Sequence, residues 1–322
     1  MRATLLVILG ALSCAGIIGA VGCVGDAPVT VGGNDGSTND AGTDALGDAA
    51  PVDAGLLLPN VAQGHLNLWL TADRGVTCTG GAQRITTWAD QSSHHRDATA
   101  GNHAGPRCNA AGHTYASVDL PFFDAPAPPA NAPQPVAEGT LDVDLGFLAG
   151  KDYTIFVVER RWGDRASNEG STLLGTDVPL FPNACPGEKN RVLGFGYVYY
   201  SGFPELQNEQ NCLNGTKGGV PDASAPPPSP LVYDMTSLSQ SADDGGGLRQ
   251  VSQNGTLLGP GIPSGTLSGI VGGSIGRWLS PLAANGDMRF LGDIAEVVIF
   301  DATLSTNEQQ QMTAYLKTHW GL

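Results

Sequence analysis

The chain has 322 residues, a formal net charge of −15, and only 15% charged residues. With 16 Lys and Arg against 31 Asp and Glu, repulsion disfavours nucleic acid and anionic lipid headgroups as partners. The scarcity of basic residues also argues against a cytosolic helical protein.

Met1 and Arg2 precede an apolar run from Leu5 to Val21, the charged-then-hydrophobic order of a secretory signal. Gly10, Ser13, Gly16 and Gly19 interrupt it, so it falls short of the roughly 20 apolar residues of a spanning helix. The run ends Gly19-Ala20-Val21-Gly22-Cys23, which resembles the lipobox of bacterial lipoproteins. That resemblance implies a signal peptide over 1–22 and a diacylated Cys23 as a membrane anchor. Val24, a residue other than Asp after the cysteine, implies the outer membrane of the cell envelope. Cleavage after a small residue with Cys23 incidental is the alternative, and Cys14 is a weaker anchor because it shortens the apolar region. Residues 23–55 hold Asp26, Asp35, Asp40, Asp44, Asp48 and Asp53 but no Lys, Arg or aromatic residue. They read as a disordered acidic tether, too poor in apolar surface to offset ordering entropy.

The remainder, 56–322, is long for one domain but within the range of all-β sandwiches. Leu66-Asn67-Leu68-Trp69-Leu70 alternates, as does part of Arg84 to Trp88, predicting strands with one buried face. Tyr153 to Glu159 and Ile294 to Phe300 are apolar on both faces and predict covered central strands. Shorter strands are expected at 191–200, 231–235, 248–253 and 270–276, between Gly, Pro and Asn clusters. Asp124 to Gln134 and Pro221 to Pro230 are too proline-rich for ladder hydrogen bonds. One helix is expected: Ser305-Thr306-Asn307-Glu308 fits a capping box, Met312, Tyr315 and Leu316 form an apolar stripe, and Gly321 marks the stop. Four cysteines follow Cys23. For an exported chain they suggest disulfides, and of the three pairings the sequential one, Cys78 with Cys108 and Cys185 with Cys212, closes two local loops.

Several stretches resemble laminin-G-like, concanavalin A-like jelly-roll domains of bacterial surface proteins. They are Leu68 to Asp73, Ile85 to Ser92, Tyr153 to Val158, Asn254-Gly255-Thr256, Ser274 to Arg277, Gly292 to Phe300 and Tyr315 to Leu322. The resemblance covers most of 60–322 and implies an all-β antiparallel jelly-roll sandwich with one short C-terminal helix. It is silent on activity, because this fold hosts lectins, glucanases, adhesion modules and spacers.

Glucanases of this fold carry carboxylates on alternate residues of one strand. Asp142 and Asp144 have that spacing, but Gly146 stands at the next position and no Glu-x-Asp occurs, so surface aspartates or a weak calcium contact are the expectation. Gly272-Gly273-Ser274-Ile275-Gly276 matches a nucleophile-elbow pattern without the helix that must follow. His94, His95, His103 and His113 lack zinc-site spacing and read as solvated. Glu296 sits in an apolar strand and must be partnered, through structural hydrogen bonds or through a ligand or calcium. Phe195, Tyr197 and Tyr199 alternate as a core-facing row, while Trp162, Tyr200 and Phe203 are the candidate sugar-stacking rings. The expected function is a surface-tethered, non-catalytic module for carbohydrate or another envelope ligand. A structural spacer is the first alternative and a jelly-roll hydrolase or lyase the second. No cofactor is expected beyond a structural calcium.

Overall fold

A computed structural model of the chain describes residues 58–80, 83–124, 139–162, 171–176, 193–200, 203–210, 218–219, 231–238, 248–258, 262–263, 267, 270, 272–278 and 288–322. Within strands, the side chains of 171, 198–200, 203–210, 218–219, 231–238, 248, 262–263 and 288 lie outside that description. So do the leader, Cys23, the acidic tether, Cys185, Cys212 and nearly all of the two proline-rich segments. The chain divides at Asp53 and Ala54, and every described residue belongs to the second part.

Besides two small two-stranded sheets, Arg277–Trp278 with Met288–Arg289 and Thr114–Tyr115 with Val118–Asp119, the architecture among the described residues is built on two large antiparallel sheets. The first runs Leu66–Thr71, Gly292–Phe300, Tyr153–Arg161, Leu231–Leu238, Leu248–Gln253 and Thr256–Leu257. The second runs Gly218–Gly219, Phe203–Gln210, Leu193–Tyr200, Ser171–Thr176, Gly273–Ile275, Leu141–Val143, Ala98–Thr99, Arg84–Trp88 and Val76–Thr79. The chain crosses repeatedly between the sheets, which is the jelly-roll habit. Phe122–Phe123 adds to the far end of Gly292–Phe300.

Tyr153–Arg161 and Gly292–Phe300 pair as neighbours and are buried along their whole lengths. Ile155 and Val157 lie against Ile299 and Val297 in register, facing the second sheet, whose Leu141, Ile275, Leu174 and Phe195 form one fully buried row. Phe195 and Tyr197 are therefore core residues.

Leu66–Thr71 departs from the expected one-sided strand, since all six residues are buried. Its Asn67, Trp69 and Thr71 face is covered too. The Trp69 indole donates to Glu296 (2.7 Å), and the outer strand edge is closed by Asp90 and Gln91, which bond the Trp69 amide (2.8 Å) and carbonyl (2.7 Å). Covering an edge in this way removes a template for unwanted pairing.

The helix spans Thr306–Trp320, with both halves of the Ser305–Glu308 capping box formed and Gly321 left-handed at φ 68°. It buries Met312, Tyr315, Leu316 and Trp320. No helix among the described residues is long and apolar enough to cross a membrane.

Candidate functional site

In an antiparallel sheet, directly paired residues project to the same side. Across the second sheet, Thr77 pairs with Thr87, Thr87 with Thr99, Thr99 with Asp142, and Asp142 with Ser274. Ser274 then pairs with Gly175, and Gly175 with Gly194. The flanking row is the apolar one described above. The hydroxyl, carboxylate and glycine row therefore faces away from the core.

Asp142 is the centre of this face. Its side chain is 46% exposed, with His103 Nε2 3.4 Å from one carboxylate oxygen and the Arg277 guanidinium 3.8 Å from the other. Arg277 also donates to the Ser274 hydroxyl at 3.1 Å. Beside it Asp144 is engaged, accepting from Arg96 (2.8 Å) and from the Gly146 amide (2.8 Å). The guanidinium of Arg96 lies 4.8 Å over the Phe147 ring.

The glycine end of the row has a different purpose. A Cβ on Gly175 would stand 2.5 Å from the Trp278 Cβ, and one on Gly194 would stand 2.7 Å from its indole. Two glycines in paired strands let the indole lie against the sheet, a close approach that any side chain forbids. Trp278 is buried, and its indole nitrogen has no hydrogen-bond partner among the described residues.

The other candidate residues are scattered. Glu296 is fully buried: Trp69 donates to one oxygen (2.7 Å), Trp320 to the other (2.8 Å), and His319 Nδ1 lies 3.1 Å from that second oxygen. Those partners pin the helix to the sheet, and no face of Glu296 meets solvent, so it is placed as a structural acid rather than a ligand contact. His319 also reaches Asp73 at 3.2 Å. Burial works against the charged ring, yet hydrogen bonds to Asp73 and Glu296 raise its pKa to about 9. The same contact and the Thr71 hydroxyl, opposing burial, lower Asp73 to about 2.

Trp162 is half-buried, and its indole donates to Asp293 at 2.5 Å. His113 is not solvated as expected. It is buried between Phe122 (3.5 Å between ring centroids) and Trp162 (4.3 Å), with Nδ1 2.7 Å from Asp293. Asp293 is fully buried and also accepts from Arg160 at 2.9 and 2.7 Å. Burial pushes the Asp293 carboxyl up, while Arg160, Trp162 and His113 pull it down. Tyr200 and Phe203 pair directly across their two strands, but their side chains lie outside the described residues.

Ser274 is fully buried on a strand, and Gly276 (φ 79°) turns the chain into the strand Arg277–Trp278 rather than a helix, so the elbow context is absent. Cys78 and Cys108 are bonded, with Cα atoms 6.5 Å apart. Among the described residues no cluster of His, Cys, Asp or Glu has metal-holding geometry. Sequence reasoning missed the threonine row and Trp278. The usable signal was Gly194 inside the strand expected at 191–200, since glycine within a strand marks close approach of another group, whereas the strand holding Gly175 was not expected.

No protein-family model matches the chain, and no curated protein matches it. Solved structures that align with the chain include domain 4 of AbnA, a GH43 extracellular arabinanase from Geobacillus stearothermophilus, in complex with arabinotriose. The likeness has a TM-score of 0.42 and 11% identity over 77% of this chain and 98% of that one. Trypanosoma rangeli sialidase, in complex with 2,3-difluorosialic acid, aligns with a TM-score of 0.48 and 15% identity over 82% of this chain and 34% of that one. A botulinum neurotoxin type C structure, from work on ganglioside-dependent cell entry, aligns with a TM-score of 0.44 and 11% identity over 79% of this chain and 52% of that one.

Proposed function

We propose that the chain is a surface-tethered, non-catalytic binding module that takes a carbohydrate on the outer face of its second sheet. The observation that supports this most directly is the register row from Thr77 through Thr87 and Thr99 to Asp142. It sets hydroxyls and a carboxylate at the ~4.8 Å spacing of neighbouring strands. A polyol chain laid across such a row meets a fresh partner at each step, His103 adds a ring nitrogen at its centre, and the buried Arg277 steadies Asp142 from beneath. A glycoside hydrolase of the two-carboxylate kind needs a pair of acids of opposed protonation at a cleft. Here the second acid, Asp144, is held by Arg96. In this reading Cys23 carries the lipid, 23–55 is the tether, and the domain stands off the outer membrane.

The test is a glycan array probed with the full chain, with calcium and again with chelator. Saturable binding that Asp142→Ala abolishes supports the reading. Absence of binding in both conditions favours a spacer, the second reading, for which the pairing of Asp144 with Arg96 is the supporting observation. Mass spectrometry of the mature N-terminus tests the anchor: an unlipidated Cys23 rejects it.

A further inference from the structure

A cavity of about 510 Å³ opens beside the Cys78–Cys108 bridge, and its lining contains none of the threonine-row residues. Its lining includes Gln83, Arg84, Arg107, Asn109, His113 and Phe122. That volume falls within the range of small-molecule sites.

The backbone builds it from three strand-like stretches side by side. Arg107 bridges to Arg84 on one side and to Phe122 on the other, and the Cys108 amide bonds the Gln83 carbonyl at 2.8 Å. The disulfide ties this ledge to Val76–Thr79, so the cavity is in place before any ligand arrives. Gln83 (φ 47°) and Asn109 (φ 53°) both line it in left-handed conformations, which side-chain-bearing residues adopt uncommonly.

Its electrostatics oppose those of the chain as a whole. Asp124 holds Arg84 Nη1 at 3.1 Å and Arg107 Nε at 2.6 Å, one carboxylate against two guanidinium groups. The Arg107 side chain is 51% exposed and Asp124 meets it at Nε, so among the described residues its terminal nitrogens face outward to another acceptor. The second anion nearby, Asp293, is spent on Arg160, His113 and Trp162. Global repulsion from a net charge of −15 is screened over about 8 Å at physiological salt, whereas a guanidinium in contact with an anion is not. Phe122, half-buried and stacked on His113, supplies a ring, and Gln83 and Asn109 supply amides.

We propose that this cavity is a second binding site, for a saccharide unit bearing a carboxylate or sulfate group. Arg107 and Arg84 hold the anion, Phe122 packs against the sugar ring, and the two amides bond its hydroxyls. The site is separate from the sheet face and stands without it.

The experiment is calorimetric titration of the full chain with four probes: a galacturonic acid trimer, a sulfated galactose trimer, a neutral galactose trimer and inorganic sulfate. At least one anionic trimer binds saturably, and which one does identifies the anion. The neutral trimer binds about tenfold more weakly or worse, and so does inorganic sulfate. Arg107→Ala weakens the anionic trimer by about tenfold to a hundredfold, the loss expected for hydrogen bonds to a charged group. Arg107→Lys falls between, because it keeps charge without the planar fork, and Lys151→Ala, which removes a positive charge elsewhere, changes nothing. Equal binding of the neutral trimer, no binding of either anionic trimer, inorganic sulfate as tight as the trimers, or an Arg107→Ala variant at full affinity would each overturn the proposal.

Discussion

The Tyr197 hydroxyl of the second sheet donates to Oε1 of Glu159 in the first, a polar bond spanning the apolar layer between them. Both residues are buried, and the guanidinium of Arg161 lies 4.3 Å over the Tyr197 ring. Burial raises Glu159 to about 7, with Tyr197 and Arg161 acting in the other direction.

An acid that is harder to ionise when folded favours the fold in its protonated form. Stability from this group is therefore full below pH 4.5 and is lost as pH rises through about 7. The loss amounts to roughly 3 kcal/mol at one unit per 1.36 kcal/mol. Glu159→Gln keeps a partner for Tyr197 without a charge. Urea melts across this pH window should show the wild-type slope flattened in the variant, and a variant with an unchanged slope would assign the pH dependence elsewhere.

Glu296 gathers two indole N–H groups and His319 between the helix and the first sheet. Glu296→Ala leaves those donors buried without an acceptor, at about 1–3 kcal/mol each. Glu296→Gln retains one acceptor oxygen and should lose less. The His319 contribution runs opposite to that of Glu159 in origin: a folded pKa of about 9 against 6.5 means it is full below 6.5 and fades as pH rises through about 9. Amide protection over Thr306–Trp320, taken relative to the intrinsic base-catalysed rate, should fall selectively at high pH and in His319→Ala.

Gly175→Ala places a methyl group 2.5 Å from the Cβ of Trp278 and 2.8 Å from its Cα, where only backbone movement gives relief. Overpacking of this kind costs about 1–3 kcal/mol. The melting temperature should fall and Trp278 emission should shift to the red as the indole lifts from the sheet. Unaltered emission would show that the strand, not the indole, had moved.

Replacing Cys78 and Cys108 together by serine removes a cross-link between residues 30 apart in sequence. The expected loss is about 3 kcal/mol, the size typical of such bridges. Non-reducing peptide maps of the wild type should contain the Cys78–Cys108 pair and should also reveal whether Cys185 and Cys212 are joined.

The elements legible in the sequence were those whose causes are local. Ser305, Glu308 and Gly321 mark both helix ends by neighbouring backbone chemistry, and the apolar runs at Tyr153 and Ile294 announce strands covered on two faces. Leu66–Thr71 misled because the cover over Asn67 and Trp69 comes from Glu296 and the closing residues Asp90 and Gln91, far along the chain. His113 misled for the same reason: its buried partner, Asp293, is 180 residues away. The threonine row was illegible because it exists only through register between strands drawn from all over the sequence. The Cys78–Cys108 bridge is the local one of the three pairings the cysteine count left open, whereas the cavity beside it depends on how Arg107 is wedged between two strands.

Gly292–Phe300, late in the chain, lies between Leu66–Thr71 and Tyr153–Arg161, which come early. Until residue 300 is available, the inner edges of both earlier strands have no neighbour, and neither Trp69 nor Arg160 has its carboxylate. The first sheet is therefore completed by one late segment slotting between two early ones, a long-range closure of the kind that slows folding.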